Sequence, residues 1–287
     1  MTSCYFATDL HGHVDRYDKL FRAIRDDPPA ALFLGGDLLP SGLLPAAGGE
    51  PRHADFLNEY LAVELVRLKK LLGDRYPRIF AILGNDDGRF AEAAVLELAA
   101  RGLWIYLHDR RAFLRDRPVY GYAYVPPTPF LLKDWERYDV SRYVDPGCVS
   151  PEGGTRSIPI SKTEARYRTI QEDLDRLVGK DEIEDAVFLF HTPPYRTKLD
   201  RADLDGKMID HVPLDVHVGS IAVQRFIQKR QPLLTLHGHI HESARLTGAW
   251  QDRIGRTHLL GGAHDGPELS LVRFDLDDPA GATRHLL

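Results

Sequence analysis

The chain has 287 residues, 43% of them hydrophobic and 28% charged, with a net charge of −5. That is an ordinary soluble composition, long enough for one large core and short for two full domains. It excludes a protein that holds nucleic acid on a broad basic surface. No run approaches the roughly 18 apolar residues of a membrane helix, and residues 1–10 lack the basic and apolar regions of a signal peptide. Cys4 and Cys148 form neither a disulfide framework nor a metal-binding spacing, which suits a reducing cytoplasm.

In chain order, the apolar run 3–8 reads as a buried strand that stops at Asp9-Leu10-His11-Gly12-His13. In an extended chain, residues two apart point to one side, so Asp9 and His11 can share a site. A helix follows, with Val14, Tyr17, Leu20, Phe21 and Ile24 on one face, closed by Asp26-Asp27-Pro28-Pro29. The next strand, 31–34, runs into Gly35-Gly36-Asp37. Strand, helix, strand begins an α/β layer in which ligands gather at the carboxyl ends of the strands. After a Gly- and Pro-rich loop, 38–52, the stripe Leu57, Leu61, Leu65, Leu68 and Leu72 marks a core-facing helix. Strand 78–83 ends in Gly84-Asn85-Asp86-Asp87-Gly88.

A helix near 91–101, a strand at 103–107 and hairpin segments around 113–122 come next. Periodicity fades over 125–159, an expected surface insertion beside the site. A helix with Tyr167, Ile170, Leu174, Leu177 and Val178 in register leads to strand 186–190 and His191. A second irregular stretch, 195–217, precedes Ser220, a plausible helix cap whose helix start could also meet an anion. The apolar run 233–236 then stops at His237-Gly238-His239-Ile240-His241. If strand geometry persists, His239 and His241 face one way, and Gly238 leaves room beside them. Short strands at 249–253, 257–260 and 269–274 close the chain, with no internal repeat, and one domain is expected over residues 1–287.

The strand ends thus collect Asp9, His11, Asp37, Asn85, His191, His239 and His241. Carboxylate, amide and imidazole donors suit Mn²⁺, Fe or Zn²⁺. Seven exceed what one tetrahedral ion uses and fit two metals that share a carboxylate.

In its motifs the chain resembles the calcineurin-like metallophosphoesterases. Their Asp-x-His, Gly-Asp, Gly-Asn-His-[Asp/Glu], lone His and Gly-His-x-His stand here, in order, as Asp9-Leu10-His11, Gly36-Asp37, Gly84-Asn85-Asp86-Asp87, His191 and Gly238-His239-Ile240-His241. The resemblance implies a four-layer α-β-β-α sandwich of two mixed β-sheets flanked by helices, with the tail after His241 completing the second sheet. It implies Asp9, His11 and His241 on one divalent metal, Asn85, His191 and His239 on the other, and Asp37 between them. A hydroxide bridging the metals would attack phosphorus in line. The chain departs from the pattern at Asp86, which replaces the histidine that stabilises the transition state or protonates the leaving group. Asp86 and Asp37 are therefore the catalytic candidates, and Asp87 the expected partner of a histidine.

The expected activity is phosphoester hydrolysis, of a small phosphodiester first and of a nucleotide among the candidates. Phosphomonoesters and nucleotide pyrophosphates are the alternatives. A non-catalytic interaction module of the same fold, like a retromer subunit of this family, is the reading from another class. Neither a membrane nor a long nucleic-acid duplex is an expected partner. His211, His217, Ser220, Arg52 and Arg89 are candidate substrate contacts, while His13, His237 and His264 lie near motif segments without an assigned role.

Overall fold

The computed structural model describes residues 2–41 and 55–287. Two six-stranded mixed sheets carry the core. The first starts with β1 (Ser3–Ala7), followed by α1 (Val14–Asp26), β2 (Ala31–Gly35), α2 (Ala62–Leu72), β3 (Arg78–Ile82), α3 (Glu92–Ala100) and β4 (Ile105–Tyr106). The chain then enters the second sheet through the antiparallel pair β5 (Arg110–Leu114) and β6 (Arg117–Tyr122), and after α4 (Lys162–Tyr167) and α5 (Ile170–Val178) it adds β7 (Val187–Phe190). A small hairpin of β8 (Met208–Ile209) and β9 (Val212–Pro213) leads to α6 (Ile221–Arg230), β10 (Leu234–His237), α7 (Ser243–Thr247), β11 (Gln251–Ile254) and β12 (Thr257–Gly261). The last strands, β13 (Ser270–Asp275) and β14 (Asp278–Leu286), return to the first sheet.

The orders are β14-β13-β1-β2-β3-β4 and β11-β12-β10-β7-β6-β5. In each sheet four consecutive strands run parallel, β1-β2-β3-β4 and β12-β10-β7-β6, with antiparallel strands at the margins. Parallel strands covered on both faces need continuous apolar sequence. That is why Leu32, Phe33, Leu34, Ile79, Phe80 and Ala81 in one sheet are buried, like Val187, Phe188 and Leu189 in the other. Aromatic stacks tie neighbouring strands, Phe33 on Phe80 at 5.2 Å and Tyr120 on Phe188 at 4.8 Å between centroids. Outside the sheets, Tyr17 of α1 packs against Phe56 and Tyr60 at the start of the second helical segment, and Phe226 of α6 against Phe188. All five leucines of the 57–72 stripe are buried.

Several sequence expectations are revised. Tyr167 does not share a helix face with Ile170 and Leu174: α4 stops there, Thr169 starts α5 by accepting from the Glu172 amide, and Tyr167 is exposed. The tail is divided, since β11 and β12 extend the second sheet whereas β13 and β14 extend the first. Strand β14 was hidden by Pro279 and Gly281, which an edge strand tolerates because its outer side needs no ladder bonds. Segment 125–159 has no long strand or helix but is tightly held, with Trp135 fully buried and Lys133 paired with Glu136 at 2.5 Å, both side chains without exposure.

Candidate metal centre

The carboxyl ends of the parallel strands from both sheets meet at one rim. From the first sheet come Asp9 and His11 after β1, Asp37 after β2, and Asn85 and Asp86 after β3. The second sheet supplies His191 after β7, and His239 and His241 after β10. Strand alternation is not what aims them. β1 ends at Ala7 and β10 at His237, and Asp9, His11, Asp37 and His239 all take left-handed backbone, with φ of 56°, 47°, 50° and 75°. Non-glycine residues pay for that conformation, and a cluster of such residues marks a functional site. Each loop turns sharply off its strand and drops its side chain onto the rim. Gly238 serves close approach here: a Cβ would lie 2.3 Å from Thr8 Oγ1 and 2.7 Å from Asp9 Oδ2.

Asp9, His11, Asp37 and His241 form the tightest group, with one potential ligand atom from each lying within 4.8 Å of the others. His241 Nε2 is 3.3 Å from Asp9 Oδ1 and 3.2 Å from His11 Nε2. Alongside, His191 Nε2 is 3.0 Å from Asn85 Oδ1 and 3.3 Å from Asp37 Oδ2. Asp37 therefore stands between the two groups, 3.8 Å from His11 Nε2 on the other side. The ring of His239 lies 5.2 Å from that of His191, and its backbone amide donates to Asp9.

The tautomers decide what these atoms can hold. His191 Nδ1 donates to the Gly35 carbonyl at 2.8 Å, and His11 Nδ1 to Asp86 at 3.1 Å, so both Nε2 atoms present lone pairs to the rim. Lone pairs from imidazoles, carboxylates and an amide oxygen converge there, and only positive charge can sit among them. In the chain alone, protons supply it. Burial opposes a charge on His11, but Asp86, Asp37 and Asp9 outweigh it and raise the group to about 9. His191 rises to about 9 against its burial through Asp37 and Asp9. Burial likewise opposes ionisation of Asp37, yet His191 and His11 hold it well below the usual carboxylate range. His239 goes the other way, pushed down to about 3 by loss of water and by His191 beside it. A divalent cation would take the protons' place, and the donor set fits one.

Asp86 is engaged on both oxygens. It accepts from His11 on one oxygen and from Ser41 Oγ, at 2.8 Å, on the other, while its amide donates to Asp37 at 2.8 Å. Among the described residues, no histidine is bonded to Asp87. Fully buried, it accepts from the amides of Leu38, Leu39 and Gly84, and burial together with Asp37 pushes it up to about 7.

The remaining candidates are placed elsewhere. Ser220 caps α6 through the Val223 amide, and Asp139 fills that helix start by accepting from Ser220 Oγ and the amides of Ile221 and Ala222, so no anion is needed there. His217 is held by buried Asp200 at 2.8 Å. His211 is exposed on the turn of the β8–β9 hairpin, and Arg89 pairs with Glu92 at 3.2 Å. Arg52 lies outside the described residues, as does loop 42–52. His237 is buried between the Thr192 carbonyl and Thr235, His264 pairs with Glu268, and His13 is exposed at the start of α1. Arg16 was not foreseen: its guanidinium donates to the Asp9 carbonyl at 2.7 Å and braces the first loop. Its helical position gave no signal of that.

Residues 3–243 match the family model of the calcineurin-like phosphoesterases, and the chain belongs to that family. Among solved structures, TT1561 of Thermus thermophilus superposes with a TM-score of 0.55 at 18% identity, over 99% of this chain and 98% of the other. An archaeal phosphodiesterase aligns over 99% of both chains at 10% identity with a TM-score of 0.43. The phosphoesterase YfcE from E. coli aligns over 99% and 98% at 12% identity, with a TM-score of 0.37. No match is found among curated proteins. Members of the family are phosphoester hydrolases that use divalent metals, and among the described residues no helix is long and apolar enough to cross a membrane.

Proposed function

We propose that the chain hydrolyses a small phosphodiester at a centre of two divalent cations, Mn²⁺, Fe or Zn²⁺, held by Asp9, His11, Asp37, Asn85, His191, His239 and His241. The observation that carries this reading is the convergence of potential ligand atoms across the rim, His191 Nε2 on Asn85 Oδ1 and Asp37 Oδ2, with both His191 and His11 fixed from behind. Bound there, the cations would neutralise phosphoryl oxygens and lower the pKa of a water for in-line attack. The chain's own part is to present seven ligands from two sheets. Asp37 keeps its charge between the two groups. Asp86 positions His11 and is engaged on both oxygens, so it is not set to donate a proton to a leaving group. Esters whose alcohol departs readily suit such a site better than those that need a strong general acid.

The test compares bis-p-nitrophenyl phosphate with p-nitrophenyl phosphate, using protein stripped of metal and refilled with Mn²⁺, for wild type and Asp37→Ala. Diester cleavage that needs both metal and Asp37 is the expected result. Two bound metals with no ester hydrolysed would instead favour a non-catalytic module.

A further inference from the structure

A second constellation lies beyond the ends of β4 and β6. A cavity of about 460 Å³, within the size range of small-molecule sites, is lined by five arginines, Arg89, Arg110, Arg137, Arg168 and Arg176, with His108 and Tyr124, and by the carboxylates Glu92, Asp109 and Glu164. Among the described residues, no aliphatic side chain lines it. The guanidiniums come from five separated places in the sequence, so no local pattern announced them.

Part of their charge is answered from the protein. Arg137 and Arg176 share buried Asp173, Glu164 meets Arg137 at 3.0 Å, Asp109 meets Arg176 at 2.9 Å, and Glu92 meets Arg89. Arg137 also stands over the Tyr124 ring, 4.0 Å from its centroid. These contacts pre-orient three guanidiniums and leave two over. Among the described residues, Arg110 and Arg168 have no carboxylate partner, and both are exposed. Buried ion-pair networks satisfy themselves; this one keeps unspent positive charge around an open volume in a chain that is acidic overall.

His108 reports the field. Its Nδ1 accepts the Ala123 amide at 3.1 Å, which leaves Nε2 to carry the proton as a donor. Burial first, and then Arg137, Arg89, Arg110 and Arg176, hold its pKa well below the usual histidine value. The cavity therefore offers planar forks, a neutral N–H and the Tyr124 hydroxyl, while its carboxylates Glu92, Asp109 and Glu164 are each engaged by an arginine of the lining.

We propose that this cavity is an anion site that holds the phosphate groups of a small phosphorylated molecule. Bidentate guanidinium forks match phosphate oxygens, and several spread around one volume match more than a single phosphate. Arg89 is four residues beyond Asn85, so their Cα atoms lie at most about 14 Å apart. Arg89 thus ties the cavity to the loop that carries Asn85. The site's existence does not depend on the chemistry of that centre.

The experiment uses metal-free full-length protein, dialysed free of chelator, titrated calorimetrically with inorganic tripolyphosphate. Wild type should bind it. Arg110→Ala and Arg168→Ala, which break no ion pair, should each weaken binding about tenfold, the loss expected for one charge-assisted contact. Both should keep the wild-type melting temperature, and a His11→Ala/His191→Ala double variant, which removes the protonated imidazoles of the centre, should bind as wild type does. Absence of binding, affinity unchanged in both arginine variants, or binding lost in the histidine variant would each overturn the proposal. Citrate bound as tightly as tripolyphosphate would overturn the choice of phosphate.

Discussion

At the scale of single residues, the centre is a problem of where protons sit. His11 and His191 hold theirs up to about pH 9 in the metal-free chain, against 6.5 for an unperturbed imidazole. A metal must displace them, so its affinity should rise with pH up to about 9 and then level off, with proton release visible as a dependence of binding enthalpy on buffer. The sign for stability is the reverse. A raised folded pKa contributes stability below 6.5 that is lost as pH rises through 9, so these two groups should lower the melting temperature of the metal-free chain across that window and have no such effect once metal is loaded. Asp86 acts through His11. Asp86→Ala should cost about 10–100-fold in metal affinity, the usual effect of losing a ligand's partner, read as metal content after dialysis. Retained metal with lost turnover would mean that Asp86 acts on substrate instead.

At the scale of elements, helix starts are completed by distant side chains. Asp139 belongs to an irregular segment yet satisfies two amides of α6 and the Ser220 hydroxyl. Removing it strands buried donors, so Asp139→Ala should destabilise the fold by roughly 1–3 kcal/mol in urea unfolding. Metal content at neutral pH should not change, since neither Asp139 nor Ser220 is hydrogen-bonded to the centre. That segment read as a loose insertion because periodicity detects only ladders and helices. Its order comes from side-chain bonds such as Lys133 to Glu136, which have no period. The same limit explains Tyr167: its spacing fitted a helix face, but Thr169 captured the Glu172 amide and started a new helix.

At the scale of the molecule, the two sheets each supply part of the candidate ligand set, so the proposed centre depends on how closely they pack. Gly121 of β6 sets that distance at one point. A Cβ there would meet Leu107 Cβ at 2.5 Å and Ile82 Cγ2, of the first sheet, at 2.9 Å. Gly121→Ala should therefore cost about 1–3 kcal/mol by overpacking and should weaken metal binding as well, although it touches no ligand. Metal affinity intact in a destabilised Gly121→Ala would show that the rim loops, not the sheet spacing, fix the geometry.

The sequence by itself determined which donor residues stand at the strand ends and the apolar strands that present them. Donor types at strand ends, and runs buried on both faces, are local properties of the chain. Tertiary structure decided the rest. The left-handed turns that aim Asp9, His11, Asp37 and His239, the engagement of Asp86 with His11 and of Asp87 with loop amides, the return of the tail to the first sheet, and the gathering of five arginines around one cavity all join residues far apart in sequence. Charge and hydrogen-bond partners act through space, and no spacing along the chain encodes them.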